Sequence, residues 1–382
     1  MQIAMFYHSL VSDWNHGNAH FLRGIVTTLL ARGHEVEVYE PENGWSLRHL
    51  MRERGHNGVD EFHFAYPQLR SIPYTLETLD LETEVEDKDL IIVHEWNPPG
   101  LVTNLARMRA SGAGFRLLFH DTHHRSLTKP KELPLSALAS FDGVLAYGRV
   151  IRDLYLSEGW TGKAWTWHEA ADTTVFHPMD ETERDGDLVW IGNWGDDERD
   201  WELREFLLKP VQKMRLRTQA FGVRYPPDVL TELDRAGIRF GGWIPNYSVP
   251  EVFSRFAATV HVPRRAYTQA LPGIPTIRVF EALACGIPLV CAPWEDAEGL
   301  FSPGQDYLVA RNSAEMSQCL DAVIHEEELA KSLASHGQHT VRARHTCEHR
   351  VDELLEICRE LGIRGTKAEE AEHTQPLDAV SL

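Results

Sequence analysis

Residues Leu271–Val290 read LPGIPTIRVFEALACGIPLV, and this stretch decides the fold. A loop rich in glycine and proline leads into a predicted helix that begins near Thr276 and ends at Cys285-Gly286, and the buried strand Pro288–Cys291 follows. A helix followed by a buried strand is typical of a parallel sheet covered by helices. The first turn of such a helix has free N–H groups and the positive end of the helix dipole, so it can bind a phosphate.

The side chains at the start of this helix favour a nucleotide site. Ile277 and Glu281 are four residues apart, so they share one face of the helix, and Arg278 lies beside them. A diphosphate at Thr276–Ile277 would place a ribose near Glu281, whose carboxylate can accept from two neighbouring hydroxyls. The alternative is an ordinary helix whose glutamate and arginine are surface charges, and residue types alone leave the two about equal.

The rest of the chain alternates strands and helices. Gln2–Tyr7 and His34–Tyr39 predict two strands around a helix that Asn18 can cap and that ends near Gly33. The alternation starts again at Asp187–Ile191, after a polar stretch. We therefore predict an α/β protein with two consecutive Rossmann-like units.

The predicted organisation has five segments. These are an N-terminal domain (1–170), a linker (171–186), a C-terminal domain (187–345), a closing helix that packs back towards the N-terminal domain (346–364) and a disordered tail (365–382). The tail is assigned as disordered because it shows no hydrophobic periodicity.

Composition argues against several classes of function. The chain has 382 residues, of which 43% are hydrophobic and 25% are charged, as in ordinary globular proteins. Its formal net charge of −19 argues against nucleic acid or an anionic membrane as the main partner. No run approaches the roughly 20 apolar residues of a transmembrane segment, the first residues do not resemble a secretory signal, and the 5 cysteines form no CxxC pair. We therefore expect a cytoplasmic protein.

Familiar cofactor motifs are missing. There is no GxGxxG between a strand and a helix, and no GxxxxGKS or GxxxxGKT, which weighs against a dehydrogenase and a P-loop enzyme. Asp185-Gly186-Asp187 spells DxD, a pattern that can bind Mn²⁺, but it lies in the predicted linker and is interpreted as a solvated turn. We predict no cofactor and no metal site.

Residues that follow the strands of the second domain are candidate ligand contacts, because ligands bind beyond the carboxyl ends of parallel strands. An arginine there could bind a phosphate, and Tyr225 could stack on a base. The candidates are Gly192, Asn193, Trp194, Arg224, Tyr225, Arg264 and Arg265.

The first domain offers a second set of candidates on the opposite side. Three close histidines in HDTHH invite a metal interpretation, but no carboxylate or cysteine set accompanies them, so a loop facing a cleft is favoured. Trp96 could stack on a sugar ring, although tryptophan more often packs in a core. The candidates are Asn18, His20, Glu95, Trp96, His120, Asp121 and His123.

Several motifs carry a resemblance to a known family. Arg278–Pro288, RVFEALACGIP, resembles the donor-site signature of nucleotide-sugar glycosyltransferases with the GT-B fold, and more narrowly that of the spore-maturation CgeB-like group. Phe301–Tyr307 and His345–Arg350 resemble later segments of that group. Thr173–Pro178 resembles the inter-domain signature of retaining transferases, and Gly17–His20 is similar to their first loop. The resemblance extends to about residue 361.

The resemblance implies two Rossmann-like domains that face each other across a cleft. The C-terminal domain would bind a nucleotide-diphosphate sugar, with Thr276, Ile277, Arg278 and Glu281 at the donor. The N-terminal domain would present the acceptor, a sugar, polysaccharide, protein or small molecule, with His120 near the transferred sugar. The implied activity is that of a hexosyltransferase-like enzyme that needs no metal and retains the anomeric configuration.

One position departs from the family pattern. The family often carries two glutamates eight residues apart; the second matches Glu281, but the first position is Gly273. Because the first glutamate typically contacts the transferred sugar, retention and inversion both stay open. In an inverting enzyme, His120, Asp121 or His123 would be the general base. The same fold is also compatible with a nucleotide-sugar epimerase or hydrolase, and with an inactive scaffold.

Overall fold

The computed structural model describes residues 1–180 and 183–363, so the predicted tail (365–382) lies outside the described residues. Within them the strands form two separate parallel sheets. The first contains β1 (Gln2–Phe6), β2 (Glu35–Pro41), β3 (Ser71–Tyr74), β4 (Leu90–His94), β5 (Arg116–Asp121), β6 (Gly143–Ala146) and β7 (Ala164–Thr166). The second contains β8 (Gly186–Ile191), β9 (Thr218–Phe221), β10 (Ile238–Phe240), β11 (Phe256–His261), β12 (Leu289–Cys291) and β13 (Leu308–Val309).

Both sheets follow the same winding. Their strand orders are β3-β2-β1-β4-β5-β6-β7 and β10-β9-β8-β11-β12-β13. In each, the chain winds outward from the first strand in one direction and then in the other, as in the Rossmann fold. The predicted pair of Rossmann-like parallel-sheet units is therefore confirmed.

Helices cover the faces of both sheets. On the N-terminal side they are α1 (Ala19–Ala31), α2 (Trp45–Arg54), α3 (His56–Ala65), α4 (Leu81–Val85), α5 (Pro99–Ala110), α6 (Arg125–Thr128) and α7 (Arg149–Ser157). On the C-terminal side they are α8 (Asp200–Leu203), α9 (Lys209–Met214), α10 (Pro227–Arg235), α11 (Val249–Ser254), α12 (Arg265–Gln269), α13 (Ile277–Cys285), α14 (Ser313–His325), α15 (Glu327–Arg344) and α16 (Cys347–Glu360). A π-helical segment, Arg204–Leu208, joins α8 to α9.

Local sequence explains the helix that carries the quoted motif. Helix α13 ends at Gly286, whose left-handed backbone (φ 71°) terminates it. Its face with Ile277 and Phe280 is buried in the core. The expectation for α1 was wrong in one detail, because the Asn18 side chain makes no capping hydrogen bond. The Asn18 Nδ2 donates to the carbonyl of Thr122 instead, at 3.4 Å.

The last helix, α16, packs on the N-terminal domain. The indole of Trp167 donates to the carbonyl of Arg350 at 2.8 Å, and the N–H of Ala171 donates to that of His345 at 2.9 Å. Cys347 lies against α1 where Gly24 has no side chain to obstruct it. The chain therefore crosses between the domains twice, and this crossing fixes how the two sheets face each other.

Candidate active site

One large cavity lies between the domains, at the carboxyl ends of both sheets. Its volume is about 890 Å³. It is lined by His8 after β1, Trp96 after β4, Gly192 after β8 and Arg264 after β11. Winding reverses between β1 and β4 in one sheet and between β8 and β11 in the other, and open parallel sheets bind ligands at such positions.

The start of α13 forms part of the C-terminal side of the cavity. Thr276, Ile277 and Arg278 line it, and the Thr276 side chain does not cap the helix. The Thr276 hydroxyl instead lies 3.1 Å from Nε2 of His261. One buried carboxylate, that of Glu169, accepts from the N–H of Ile277. The positive end of the helix dipole therefore lies at the cavity, as anion binding requires.

Four arginines line the same side, and we call three of them, Arg199, Arg264 and Arg278, the arginine cluster. Arg199 donates from Nη1 to the carbonyl of Val262 (3.0 Å) and from Nη2 to that of Asn193 (2.6 Å), while its buried Nε has no partner. Burial and the charge of Arg264 lower the pKa of Arg199 to about 9, so it stays charged at neutral pH. Arg264 is paired with Glu198 at 2.8 Å and Arg278 with Glu281, whereas Arg199 donates to backbone carbonyls and to the Asn193 side chain. In a chain of net charge −19, the cluster is a local concentration of cationic groups.

Two strand ends approach closely beside the arginine cluster. A side chain on Gly222, which follows β9, would collide with the carbonyl of Gly192. Arg224 lies two residues further on, adopts a left-handed backbone (φ 61°) and lines the cavity. The glycine thus lets the backbone after β9 turn towards the cavity and bring Arg224 to it.

Glu281 is fully buried and joins the domains through His20. Its Oε1 lies 2.9 Å from Nδ1 of His20, whose Nε2 accepts from the N–H of Asp172 at 2.7 Å. Because Nε2 accepts, Nδ1 carries the proton and donates to Glu281. The Glu281 Oε2 pairs in charge with Arg278, and the ring of Phe176 stacks on His20 at 3.8 Å. These contacts hold the carboxylate in one orientation and Arg278 at the cavity.

The N-terminal side of the cavity is aromatic, and we call His8, His16, Trp45 and Trp96 the aromatic wall. The ring of His8 lies 3.9 Å from that of His16, 5.3 Å from that of Trp45 and 6.2 Å from that of Trp96. Burial lowers the pKa of His8 to about 3 and holds that of His16 well below its usual range. Both imidazoles are therefore neutral at physiological pH.

Charged groups beside the wall are paired. Asp13 accepts from Arg23 at 2.8 Å, with both side chains buried. Glu95 accepts from Arg125 at 3.0 Å, and the Arg125 guanidinium lies 3.7 Å from the ring centroid of Trp96. The aromatic wall thus carries little net charge, in contrast to the arginine cluster opposite.

Two family models match the chain, one in each domain. A model described as Glycosyltransferase Family 4 matches residues 17–175, and one described as Glycosyl transferase-like matches residues 199–356. No curated protein matches the chain in sequence. The narrower resemblance to the CgeB-like group stays a prediction.

Solved structures share this architecture at low sequence identity. Sucrose-phosphate synthase from Thermosynechococcus elongatus has a TM-score of 0.68 at 14% identity, with 95% of this chain and 99% of that chain covered. Anabaena Alr3699/HepE in complex with UDP and glucose has a TM-score of 0.64 at 14% identity, with 94% and 100% covered. An alpha-glucosyltransferase in complex with UDP and a 13-mer DNA has a TM-score of 0.69 at 14% identity, with 94% and 99% covered. The fold is GT-B.

Residues 1–180 and 183–363 of this GT-B fold contain neither a candidate membrane span nor a candidate metal site. No helix there is long and apolar enough to cross a membrane. No group of three or more histidine, cysteine, aspartate or glutamate side chains there is placed to hold a metal ion.

The GT-B cavity brings together about half of the residues that the sequence singled out. Those that line it are Asn18, Trp96, His123, Gly192, Asn193, Arg224, Arg264, Thr276, Ile277 and Arg278. Those that do not line it are His20, Glu95, His120, Asp121, Trp194, Tyr225, Arg265 and Glu281.

The N-terminal candidates that miss the cavity lie behind its wall. His120 is buried with its Nδ1 2.6 Å from the hydroxyl of Tyr7, and burial lowers its pKa to about 3. Asp121 accepts from the hydroxyl of Tyr155 at 2.8 Å and from the N–H of His123 at 3.0 Å. Burial raises the pKa of Asp121. These side chains hold the end of β5 in place.

The C-terminal candidates that do not line the cavity are hydrogen-bonded to other residues of the protein. The indole of Trp194 donates to Asp200 at 2.6 Å. The hydroxyl of Tyr225 donates to the carbonyl of Gly192 at 2.9 Å, and its ring centroid lies 4.6 Å from that of Phe240. Arg265 donates to Glu202 at 2.8 Å, and Arg264 is the member of the pair that lines the cavity.

Gly273 lies outside the cavity, beside Glu298. Its backbone is left-handed (φ 90°), and an added Cβ would lie 2.7 Å from Cγ of Glu298. Glu298 accepts from the N–H of Arg149 at 2.7 Å and lies 3.1 Å from Nε2 of His168, which joins the two domains. Since Glu298 fills the space beside it, position 273 cannot carry the first glutamate of the family pair without rearrangement.

Proposed function

We propose that this protein is a glycosyltransferase that transfers a sugar from a nucleotide-diphosphate sugar, with UDP as the nucleotide. The proposal is carried by one observation: the arginine cluster and the start of α13 face the aromatic wall across a single cavity. Glycosyltransferase family models match both domains. Two of the similar structures are complexes with UDP, which favours UDP among the nucleotides.

The donor would bind on the C-terminal side. The diphosphate would lie between the arginine cluster and the first turn of α13 at Arg278, where helix dipole and guanidinium charges act together, since the N–H of Ile277 already donates to Glu169. The Glu281 Oε2 has no hydrogen bond, although it is paired in charge with Arg278. We assign the ribose to this oxygen, with the Arg278 guanidinium drawn from the carboxylate towards the phosphates.

In the transfer step, the bond between the anomeric carbon and the β-phosphate oxygen breaks while a bond to the acceptor oxygen forms. We assign the acceptor proton to the leaving phosphate, so that the configuration is retained without an enzymic nucleophile. The arginine cluster and the helix dipole would stabilise the charge that develops on the diphosphate, and we propose that no metal ion is needed. Closure of the cleft would exclude water, which competes for the donor.

His120 acts through other residues in this proposal, and Glu281 does so until the donor binds. His120 lies behind the wall and is hydrogen-bonded to Tyr7, so it would position the N-terminal strand ends. Glu281 would orient Arg278 and His20 before the donor binds. Among the groups at the cavity, His123 would serve as general base if the reaction inverts, since no residue among 1–180 and 183–363 pairs with its buried Nδ1.

Calorimetry on the full chain tests the donor assignment. UDP, GDP, ADP and TDP would be titrated in Mg²⁺ and again in EDTA. We expect UDP to bind most tightly and with the same affinity in EDTA, because protein cations supply the charge. Loss of UDP binding in EDTA would remove the metal-independent mechanism.

Product analysis separates transfer from hydrolysis and epimerisation. UDP-sugars would be incubated without acceptor, and the products separated by chromatography. A free sugar at high yield would indicate a hydrolase, and a changed UDP-sugar would indicate an epimerase. Absence of binding by all four nucleotides would indicate an inactive scaffold.

A further inference from the structure

The aromatic wall carries polar atoms that the described residues leave unpaired. Both ring nitrogens of His8 are buried without a hydrogen-bond partner, and so is Nε2 of His16. The His16 ring is hydrogen-bonded to the backbone of Ser9 through its other nitrogen, so Nε2 bears a lone pair. Buried polar groups are normally paired, and unpaired ones at a cavity indicate a ligand that pairs them.

Two tryptophans supply an apolar surface next to these nitrogens. Trp45 stacks on His8, and Trp96 has the Arg125 guanidinium over its ring, 3.7 Å from the centroid. Both indoles are only partly buried, and both line the cavity. The wall therefore offers flat apolar faces beside neutral hydrogen-bonding groups.

The charges near the wall do not suit an anionic ligand. Arg125 is paired with Glu95, whose side chain is fully buried, and Asp13 is paired with Arg23. Lys129 lies at the rim, exposed and 3.7 Å from Glu132. A nucleic acid or a polyuronate would need unpaired cations here, in addition to those that the diphosphate uses on the opposite side.

We propose that the aromatic wall binds the acceptor, and that this acceptor is a neutral saccharide. The inference rests on the proposed transferase function, since it names the second substrate of the same cavity. The apolar C–H face of a sugar ring packs on indole, and a neutral imidazole can donate to one hydroxyl and accept from another. His16 accepts the hydrogen bond of a sugar hydroxyl at Nε2, and His8 binds a neighbouring hydroxyl.

The test measures saccharide binding to the full chain with UDP present. Maltotriose, cellotriose and mannotriose would be titrated by calorimetry, with trigalacturonate and a 13-mer DNA duplex as charged comparisons. We expect at least one neutral trisaccharide to bind saturably and the charged ligands to bind at least 10-fold more weakly. Tighter binding of trigalacturonate or DNA overturns the proposal, and so does the absence of binding by all three neutral trisaccharides.

Four variants locate the site. Trp45→Ala and Trp96→Ala should each weaken binding at least 10-fold, and His16→Phe, which keeps an aromatic ring but removes Nε2, should do the same. Trp201→Ala is the matched control, because Trp201 is 60% exposed on α8 and does not line the cavity. Trisaccharide affinity unchanged in Trp45→Ala and Trp96→Ala would place the saccharide elsewhere. Unchanged affinity in His16→Phe would remove the hydroxyl contact.

UDP affinity, measured on the same variants, separates this proposal from the proposed function. Retained UDP binding with lost saccharide binding supports an acceptor site on the wall. Saccharide binding that persists in a chain unable to bind any nucleotide would contradict the transferase function while leaving the saccharide site itself in place.

Discussion

The two sides of the cavity occupy the same place in two equivalent sheets, yet their chemistry is opposite. Strands β1 and β4 lead to His8 and Trp96, whereas β8 and β11 lead to Gly192 and Arg264. Topology therefore determines where a ligand binds in each domain. The side chains that follow the strands determine which ligand fits, and we propose a diphosphate for one side and an uncharged sugar ring for the other.

Burial acts on both sides and has opposite consequences. It lowers the pKa of Arg199 to about 9, and an arginine with that pKa is still charged at neutral pH. It lowers the pKa of His8 to about 3, and a histidine with that pKa is neutral. One physical cause, loss of hydration, thus leaves the C-terminal side cationic and makes the N-terminal side neutral.

The largest effect that we expect from this contrast is a loss of folding stability at acidic pH. A histidine whose pKa is lowered by folding stays neutral in the folded chain below about pH 6.5, whereas the same histidine binds a proton in the unfolded chain. Each such group costs up to about 1.4 kcal/mol of stability per pH unit as the pH falls from about 6.5. In the N-terminal domain these groups are His8, His16, His94, His120, His123 and His124. In the C-terminal domain they are His261 and His345.

Buried carboxyls oppose this effect without cancelling it. Folding raises the pKa of Glu40, Glu95 and Asp121 in the N-terminal domain and of Glu169 near the linker. The folded chain keeps these protons where the unfolded chain releases them, so their contribution rises as the pH falls. The surplus of these histidines over these carboxyls is two in each domain: six against four in the N-terminal domain, to which Glu169 belongs, and two in the C-terminal domain, where none of these carboxyls lies. Hydrogen exchange between pH 7 and 5 should therefore show both domains losing protection as the pH falls; protection that stays constant in either domain would contradict it.

A smaller effect is expected when the cationic side is weakened. Arg264→Gln removes one charged donor from the arginine cluster, so UDP affinity should fall roughly 10- to 100-fold, the usual range for a charge-assisted hydrogen bond. Uridine, which lacks phosphates, should bind as before. Arg265→Gln is the comparison. Both arginines are paired with a carboxylate, Arg264 with Glu198 and Arg265 with Glu202, but only Arg264 lines the cavity, so Arg265→Gln should weaken UDP binding less. Equal losses of UDP and uridine in Arg264→Gln would show that the guanidinium does not act on the phosphates.

Sequence patterns predicted the fold well where elements were long and buried. Strands such as β4 and β11 are mostly apolar and are buried along their whole length. The second domain repeats the order of the first, so the pattern predicts two parallel sheets. The edge strands β3 and β7 were not predicted. Ser71–Tyr74 contains a proline and Ala164–Thr166 has three residues, so neither shows a strand period; pairing with a neighbour makes them strands.

The site was harder to predict than the fold, because residue types do not reveal which of two neighbours reaches the cavity. Arg264 and Arg265 are adjacent and of the same residue type. Helix α12 begins at Arg265, so the two side chains point in different directions and contact different partners. His8, His16 and Arg199 were missed altogether. The position of His8 directly after β1 was an available signal, but Arg199 comes from a loop, and only tertiary packing brings it beside Arg264.

The smallest expected effect concerns the position where the family pair of glutamates is incomplete. Gly273→Ala introduces a Cβ at φ 90° next to Glu298, so stability should fall by about 1–2 kcal/mol through backbone strain and the disturbed Glu298 contacts. UDP affinity should stay within about twofold of the wild-type value, since Gly273 does not line the cavity. Denaturant unfolding and calorimetry measure the two quantities. A large loss of UDP affinity at unchanged stability would place Gly273 at the donor. The loop that carries Gly273 would then be a further part of the donor side of the cavity.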